Sequence, residues 1–293
     1  MTRVYDCFPF FNELDLLEIR LHELSSVVDE FVIAESTTTH QGEPKPLYFK
    51  ENAERFEAFG NRIRHIVVDQ MPGGDREVDH WHRENYQRNA LASGLDDARP
   101  EDIILLSDID EIPRARSVRA AIEWSHRSAT VHCFELTMYT YFLNYRCNEP
   151  WSRNGPRLTR RRYLRSMQGL RNVHPPTSDP LRSALRWLSA SANMRRPIRR
   201  VVHTNAGWHF SSMGGVGMLA QKIESFCHII PERRRNPDGP VGDMAAARIR
   251  SAHGEKNIRK VPIDASFPAY FVENKPRFAH LVNCRKWSPA GQD

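Results

Sequence analysis

The feature that most restricts the fold of this chain is an alternation of short apolar runs with longer amphipathic segments in its first 130 residues. Apolar runs of strand length lie at 4–10, 31–34, 63–68 and 103–106, and helical spacing occurs at 12–24 and 81–95. Such short, continuously apolar strands are typical of a mostly parallel sheet with helices on both faces. The sequence therefore predicts an α/β fold whose ligands bind at the carboxyl ends of the strands.

The remaining residues have a mixed pattern. β-Branched and aromatic residues predict one or two strands within 130–145 and another within 157–164, and helices are predicted at 181–188, 217–228 and 243–252. Segment 172–200 is rich in Pro, Ser and Arg, which predicts a mobile excursion from the core. The alternative is a short helix that docks permanently through Leu181, Leu185 and Leu188. The tail from Pro289 is expected to be frayed.

Charge is distributed unevenly along the chain. Residues 1–130 contain 15 Lys and Arg against 25 Asp and Glu, whereas residues 131–293 contain 27 against 11. The first part thus has a net charge of −10 and the second of +16. A basic half of this size fits a nucleic acid, an anionic membrane surface, or a phosphorylated small molecule held opposite the acidic half. A metal ion that bridges carboxylates to phosphates would fit the third of these.

The acidic residues with the most specific placement follow the run at 103–106. Asp108 and Asp110 lie two positions apart at the end of a predicted strand, so both carboxylates can reach one hard cation such as Mg²⁺ or Mn²⁺. Such a cation can also hold a diphosphate. The alternative is a solvated turn that caps the next helix, since D-x-D pairs occur often by chance. The position at a strand end of the α/β pattern favours the metal site.

Other classes of protein lack support from the motifs. The positions after Asp110 lack the ligands of an EF-hand, and neither a P-loop motif nor a G-x-G-x-x-G after a strand occurs. The five cysteines form no C-x-x-C pair, which argues against a zinc ribbon or a disulfide framework and indicates a reducing compartment. Because we find no secretory signal and no membrane-spanning run, we expect a cytoplasmic protein with no transmembrane segment.

A series of segments, taken in chain order, resembles glycosyltransferase family 17. The segments are YDCFPFFNELDLLEIRLHEL at 5–24, FVIAES at 31–36, PKPLYF at 44–49, LLSDIDEIP at 105–113 and AGWHF at 206–210. The resemblance implies a GT-A type fold, in which a mostly parallel, Rossmann-like sheet flanked by helices is joined to a mixed acceptor-side half. It also implies an inverting N-acetylglucosaminyltransferase with UDP-GlcNAc as donor, Mn²⁺ or Mg²⁺ as metal, and a glycan or glycoconjugate as acceptor.

The resemblance also implies roles for individual residues. It places the metal and the diphosphate at Asp108 and Asp110, with His209 as a further metal ligand or, alternatively, a core histidine. Donor contacts are expected at strand ends and on the helix before the D-x-D strand, from Phe10, Asn12, Glu13, Glu35, Ser107, Arg83 and Arg88. The alternatives are a plain helix N-terminus for the first three, a capping role for the second-strand carboxylate and a solvated helix face for the arginines.

An inverting transfer needs a general base for the acceptor hydroxyl, and a carboxylate is the usual choice. The candidates are Glu224, Glu135 and Glu111, with Asp243 further away. Aromatic candidates for stacking on a sugar are Trp208, Tyr139 and Tyr141, although aromatic residues in strands more often belong to the core. A dense run of arginines fits an anionic acceptor or the diphosphate or, alternatively, an exposed strand: Arg153, Arg157, Arg160, Arg161, Arg162, Arg165 and Arg171.

We expect one domain over 1–293, with a nucleotide- and metal-binding half at 1–130 and an acceptor-side half at 131–293. Segment 172–200 would then be a lid that closes over the donor and excludes water. Two other functions stay open: a nucleic-acid-binding protein that uses the basic half, and a family member that binds a glycan without transferring it. Against nucleic acid stand the acidic first half and the lack of a recognised binding motif.

Overall fold

A computed structural model describes residues 2–74, 77–125, 128–225, 239–254 and 257–283. Over these ranges, twelve strands form one sheet of seven and one of five strands. The strands are β1 (Val4–Phe10), β2 (Glu30–Ser36), β3 (Ile63–Val68), β4 (Ile103–Leu106), β5 (Glu111–Pro113), β6 (Thr130–Phe134), β7 (Thr137–Thr140), β8 (Tyr145–Cys147), β9 (Arg157–Arg160), β10 (Arg199–His203), β11 (Gly207–Ser211) and β12 (Ile258–Lys260).

The helices pack on and between these sheets. The α-helices are α1 (Leu14–Leu24), α2 (Tyr48–Glu51), α3 (Glu77–Ala90), α4 (Ala115–Ser125), α5 (Met167–Arg171), α6 (Pro180–Asn193), α7 (Gly215–Ser225), α8 (Val241–Gly254) and α9 (Ala269–Glu273). Short 3₁₀ segments lie at Ala53–Arg62, Leu91–Leu95, Arg161–Tyr163 and Ala279–Leu281. Among the described helices, none is both long and apolar enough to cross a bilayer.

The seven-stranded sheet has the order β10-β6-β9-β4-β1-β2-β3, and β9 is antiparallel to its two neighbours while the other pairs are parallel. Strand β1, an interior strand of this sheet, is buried on both faces, with Tyr5 and Cys7 packed into one layer and Phe8 and Phe10 into the other. Burial on both faces explains why the strands read as continuous apolar runs. The expected α/β class with a mostly parallel sheet is therefore confirmed.

The five-stranded sheet has the order β12-β8-β7-β11-β5. Strand β5 begins directly after Asp110 and pairs with β11, which sets His209 opposite Glu111. Gly207 allows this pairing, because a Cβ at that position would lie 2.2 Å from the carbonyl oxygen of Ile112. The second sheet thus brings a late segment of the chain to the end of β4.

Most predicted elements occur, with some changes in their ends. The strands at 4–10, 63–68 and 103–106 have the predicted bounds, and the second strand is longer than predicted. The strand predicted to reach 164 ends at Arg160, where a 3₁₀ turn follows. Helix α6 extends beyond the predicted 181–188 and ends at Asn193, and the Asp179 side chain caps its start by accepting a hydrogen bond from the Arg182 backbone. Residues 226–228 of one predicted helix and the tail from Pro289 lie outside the described residues.

Two expectations about the organisation of the chain change. Strands β6, β9 and β10 complete the first sheet, so a boundary at 130 does not separate two sheets. The division into two halves stays a prediction about function. The docked surface helix is wrong as stated, because Leu181, Leu185 and Leu188 are 71%, 57% and 57% exposed and do not pack on the core.

A buried histidine pair in the first sheet predicts pH-dependent stability. His132 is fully buried and its Nδ1 lies 2.9 Å from Nε2 of His203. Burial, with the charge of His203 as a second cause, lowers the pKa of His132 to about 3. Because the unfolded chain binds this proton near pH 6.5 and the folded chain does not, this contribution to stability is complete above pH 6.5 and falls with pH by about 1.4 kcal/mol per unit.

We therefore expect His132→Gln to flatten the pH dependence of the unfolding free energy. Between pH 7.5 and pH 5, the unfolding free energy of the wild-type protein should fall by about 2 kcal/mol more than that of the variant. This value corresponds to about 1.5 pH units below the unfolded pKa, at about 1.36 kcal/mol per unit. Urea unfolding at both pH values measures this difference. The exposed His82, changed to Gln, serves as control and should follow the wild type. Equal pH slopes for His132→Gln and wild type would contradict the assignment.

Candidate functional site

A cleft of about 880 Å³ opens at the carboxyl ends of β1, β2 and β4. Phe10 and Phe11 line it from the end of β1, the segment 38–40 from the end of β2, and the segment 108–111 from the end of β4. Helices α3, α5 and α7 and strand β11 close its sides. The cleft thus lies where the α/β pattern predicts a ligand, at the ends of the central parallel strands.

Asp108 and Glu111 are held at one side of the cleft by two buried arginines. Arg88 of α3 lies 3.0 Å from one oxygen of Asp108, and Arg171 of α5 lies 2.6 Å from the other. Arg171 also contacts both oxygens of Glu111, at 2.6 and 2.9 Å, and the indole nitrogen of Trp151 donates to Glu111 at 2.6 Å. Burial alone would lower the pKa of Arg171, but Asp108 and Glu111 outweigh it and raise that pKa. These guanidinium groups therefore stay charged in the cleft.

Asp110 has looser partners on the other side of the same turn. Its two oxygens lie 3.5 Å from Nε2 of His209 and 3.5 Å from Nζ of Lys222 on α7. Burial would raise the pKa of Asp110, but its interactions with His209 and with the Lys222 ammonium outweigh burial and hold that pKa well below its usual range. The pKa of Lys222 is raised in turn, since Asp110 and Glu13 outweigh the effect of burial. Asp110 is thus a carboxylate at neutral pH.

Arg20 fixes this acidic turn from behind. The fully buried guanidinium pairs with Asp6, at 2.8 and 2.6 Å, and lies 4.3 Å from the centre of the Phe8 ring. It donates to Oγ of Ser107 at 2.7 Å and to the carbonyls of Asp108 and Glu111 at 3.0 and 2.9 Å. One arginine of α1 therefore connects β1 to Ser107, Asp108 and Glu111 of the turn that carries the D-x-D pair.

Eight of the residues singled out from the sequence lie at the cleft: Phe10, Glu13, Arg88, Asp108, Asp110, Glu111, Arg171 and His209. Lys222, Trp81 and Trp151 also line it and were not identified from the sequence. A tryptophan in the helix before the D-x-D strand is a sequence signal from which Trp81 could have been identified as a cleft residue. No sequence pattern marks Lys222, which reaches Asp110 from 112 residues away along the chain.

The structure corrects the placement of four expected donor-binding residues. Glu35 is fully buried and accepts hydrogen bonds from the Phe49 backbone at 3.2 and 3.3 Å, with His65 at 2.9 Å. Ser107 is buried beside Arg20, and Asn12 donates to Gln221 at 2.9 Å.

The fourth, Arg83, donates to the carbonyls of Pro72, His40 and Gly74. Each of these four side chains has protein partners, and none of the four is among the residues that line the cleft.

The base candidates are also dispersed. Glu135 lies in a second cavity, of about 570 Å³, and Glu224 is exposed on α7 away from the cleft lining. Asp243 is exposed on α8. Glu111 reaches the cleft, but its two oxygens are engaged by Arg171 and Trp151. This arrangement suits a structural anchor better than a proton acceptor.

Glu13 is a better placed carboxyl. It lines the cleft and accepts hydrogen bonds from the backbones of Phe11 and Asn12 at 3.2 and 3.1 Å. Burial raises the pKa of Glu13, an effect that Lys222 opposes and Asp110 reinforces.

The aromatic and arginine predictions divide in the same way. Trp208 and Tyr139 belong to the core, where the Trp208 ring lies 4.0 Å from the Arg114 guanidinium, and Tyr141 is buried too. They are not available to stack on a sugar. Within the arginine run, Arg171 lines the cleft, whereas Arg157 is buried with its donors on backbone carbonyls. The arginines between 153 and 171 therefore form neither one ligand-binding cluster nor one exposed strand.

A divalent metal fits the cleft only with ligands from a substrate. Among the residues the structure describes, no three His, Cys, Asp or Glu side chains converge on one point. Asp110 and Nε2 of His209 are two suitable ligand groups 3.5 Å apart. A metal on Nε2 would require the tautomer that carries its proton on Nδ1, a buried atom with no hydrogen-bond partner among the described residues. Mg²⁺ in such sites takes one or two carboxylates and completes its shell with phosphate oxygens and water. The donor set is compatible with that mode.

Fold and cleft together define a class: an α/β protein with an acidic, strand-end cleft flanked by fixed cations. The family model described as glycosyltransferase family 17 matches residues 1–167, and this chain belongs to that family. The beta-1,4-mannosyl-glycoprotein 4-beta-N-acetylglucosaminyltransferases of Rattus norvegicus and Homo sapiens are each 39% identical over 117 residues. The match spans 38% of this chain and 22% of the length of these curated relatives.

Solved structures with a similar chain path are distant. The bifunctional IspDF from Campylobacter jejuni has a TM-score of 0.36 and 11% identity, covering 77% of this chain and 54% of its own. HddC from Yersinia pseudotuberculosis has a TM-score of 0.37 and 11% identity, covering 70% and 92%. These scores are too low to support an argument about this chain.

Proposed function

We propose that this chain transfers N-acetylglucosamine from UDP-GlcNAc to a hydroxyl of a glycan or glycoconjugate, with inversion and with Mn²⁺ or Mg²⁺. The observation that carries the proposal is the juxtaposition, at the ends of β1, β2 and β4, of the Asp110–His209 pair with three fixed cations, Arg88, Arg171 and Lys222. Family membership and the names of the relatives support the sugar that is transferred.

The cations are suited to a departing diphosphate. Arg88 lies on α3 and Arg171 on α5, and ion pairs with carboxylates already hold both guanidinium groups in place. They therefore need little reorganisation when negative charge develops on the phosphate. Guanidinium groups also match phosphate oxygens through paired hydrogen bonds. A divalent ion bound by Asp110 and His209 would act as a Lewis acid on the same leaving group.

We further propose that Glu13 accepts the proton of the acceptor hydroxyl. It is a cleft carboxyl with a raised pKa, which makes it a stronger base than an ordinary carboxylate once it has lost its proton. At a pH below this raised pKa, Glu13 is protonated and cannot accept a proton. The transfer activity should therefore fall as the pH drops below the pKa of Glu13. Its hydrogen bonds from the Phe11 and Asn12 backbones hold the carboxylate at the end of β1.

Glu13→Gln tests this role. We expect kcat to fall by about 10²–10⁴ while the affinity for UDP-GlcNAc stays within a few-fold of wild type, because the amide keeps the shape but cannot take a proton. Steady-state kinetics and calorimetric donor binding measure the two quantities. If the variant instead loses donor affinity and keeps kcat, Glu13 contacts the nucleotide. Wild-type kcat in Glu13→Gln would rule out its action as base.

Donor binding tests the proposed function as a whole. Titration calorimetry with UDP-GlcNAc should give micromolar binding in the presence of Mn²⁺ and at least about tenfold weaker binding after chelation, since a metal held by Asp110 would supply positive charge for the diphosphate. UDP-glucose should be transferred more slowly than UDP-GlcNAc, a preference that rests on the family alone. Equal rates with both donors would contradict the proposed donor. Tight donor binding without any transfer or hydrolysis would instead favour a glycan-binding member that does not catalyse transfer.

We propose a reducing compartment such as the cytoplasm for this protein. Cys7, Cys133 and Cys147 are free thiols, and the first two are buried, where burial raises their pKa and makes them unreactive. Free buried cysteines are usual for proteins that are kept reduced.

A further inference from the structure

Helix α6 carries an exposed apolar stripe. Leu181, Leu185 and Leu188 are 71%, 57% and 57% exposed, and Ala184 and Ala192 are exposed beside them. At 3.6 residues per turn these five positions fall on one side of the helix, within an arc of about 100°. The stripe runs for about 17 Å along the helix at 1.5 Å per residue.

The opposite side of α6 faces the protein with small and polar residues and with part of Trp187, whose indole nitrogen donates to the Ile198 carbonyl at 3.0 Å. Ala190 is the buried residue of the helix, and Ser183 on the same side accepts a hydrogen bond from Arg200 through its carbonyl at 3.1 Å. A surface helix of a water-soluble protein normally has its apolar stripe on the core and its polar side in water. Helix α6 has the reverse orientation, which indicates that its outer side meets an apolar environment.

The surroundings of the stripe are strongly basic. Residues 152–203 contain 13 arginines, no lysine and one acidic residue, Asp179. Asp179 pairs with Arg182 at 3.4 Å, at the start of the helix. Arg165, which donates to the Ala192 carbonyl, and the exposed Arg195, Arg196 and Arg199 lie around its end. The apolar stripe is therefore bordered by cations with almost no counter-charge.

We propose that α6 binds the surface of an anionic phospholipid bilayer. The leucines of the stripe would enter the boundary between head groups and acyl chains, with the helix axis in the plane of the membrane. The arginines at its two ends would contact lipid phosphates and anionic head groups. An amphipathic helix with leucines on one side and arginines on its flanks has the composition of such interfacial helices.

The charges argue against a second copy of this chain as the occupant. A two-fold contact through α6 would place the same arginines of both copies against each other. That repulsion would be uncompensated, since Asp179 is the one acidic residue of 152–203. An anionic membrane, in contrast, complements both the stripe and its border.

Vesicle flotation tests the proposal with the complete chain. Wild-type protein should float with vesicles of 30% phosphatidylglycerol in phosphatidylcholine, bind vesicles of pure phosphatidylcholine at least about tenfold more weakly, and be released by high salt. The variant Leu181→Ser/Leu185→Ser/Leu188→Ser should lose at least about tenfold in partitioning. Val67→Ser, at the far edge of the seven-stranded sheet, removes an exposed apolar residue elsewhere and should bind as wild type.

Each result decides the matter. Because all three leucines are exposed, the triple variant should melt at the wild-type temperature, so lost binding is not lost folding. Failure of wild-type protein to bind anionic vesicles, or equal binding by the triple variant, would overturn the proposal. Equal binding to neutral and anionic vesicles would overturn the role of the arginines. A dimer in light scattering that the triple variant abolishes would assign the stripe to a protein contact instead.

Discussion

Asp110→Asn is expected to abolish metal-dependent binding of UDP-GlcNAc and to lower kcat/KM by at least about 10³, or about 4 kcal/mol of transition-state stabilisation. The amide preserves the shape of the side chain but removes the negative charge that a divalent ion requires. It also removes the counter-charge of Lys222, which lies 3.5 Å from Asp110. Calorimetric titration of Mn²⁺ into protein with UDP, together with steady-state kinetics, measures both losses.

The neighbouring aspartate provides the matched control. Both oxygens of Asp108 are already taken by Arg88 and Arg171, so Asp108→Asn should reduce donor affinity less and act through the position of the arginines. Far-UV circular dichroism and a cooperative melt should show that both variants remain folded, since each site is at the cleft rather than in the core. Metal-dependent donor affinity that is unchanged in Asp110→Asn would refute the metal assignment.

The parts of the fold that the sequence predicts are those determined by local pattern. Strands β1, β3 and β4 have the bounds that the sequence predicts because each is a short, mostly apolar segment. The D-x-D pair was located for a similar reason, since a strand end in an α/β pattern has a known place at the sheet edge.

The parts that the sequence did not predict depend on contacts between distant segments. Lys222 reaches Asp110 across 112 residues, and Arg171 reaches Asp108 across 63. A position at a strand end does not by itself determine the partner of a side chain. Glu35 is an example, since the backbone N–H of Phe49 in α2 donates to its carboxylate. Leu185 has the spacing of a core residue, yet the tertiary structure turns it to solvent. The sequence pattern predicts where a residue lies along a helix or strand, whereas tertiary packing determines which groups its side chain contacts.

Arg20 makes contacts of this kind between distant segments, and we expect a large effect from its replacement. Its guanidinium is fully buried against Asp6 and donates to the Asp108 and Glu111 carbonyls. Replacing one member of a buried ion pair leaves an uncompensated charge, which typically costs about 3–5 kcal/mol. Arg20→Met should therefore lower the free energy of unfolding by about that amount, which urea denaturation measures. Donor affinity should also fall, because the D-x-D turn loses the donors that fix its carbonyls.

A double variant separates these two effects. Asp6→Leu/Arg20→Met removes the stranded carboxylate, so part of the lost stability should return, as it does when a buried ion pair is replaced by apolar side chains. Donor affinity should stay low, since Met still cannot donate to the Asp108 and Glu111 carbonyls. Arg162→Met, at an exposed pair with Glu101, is the surface control and should change stability little. Wild-type stability in Arg20→Met, or full recovery of donor binding in the double variant, would show that Arg20 does not hold the turn.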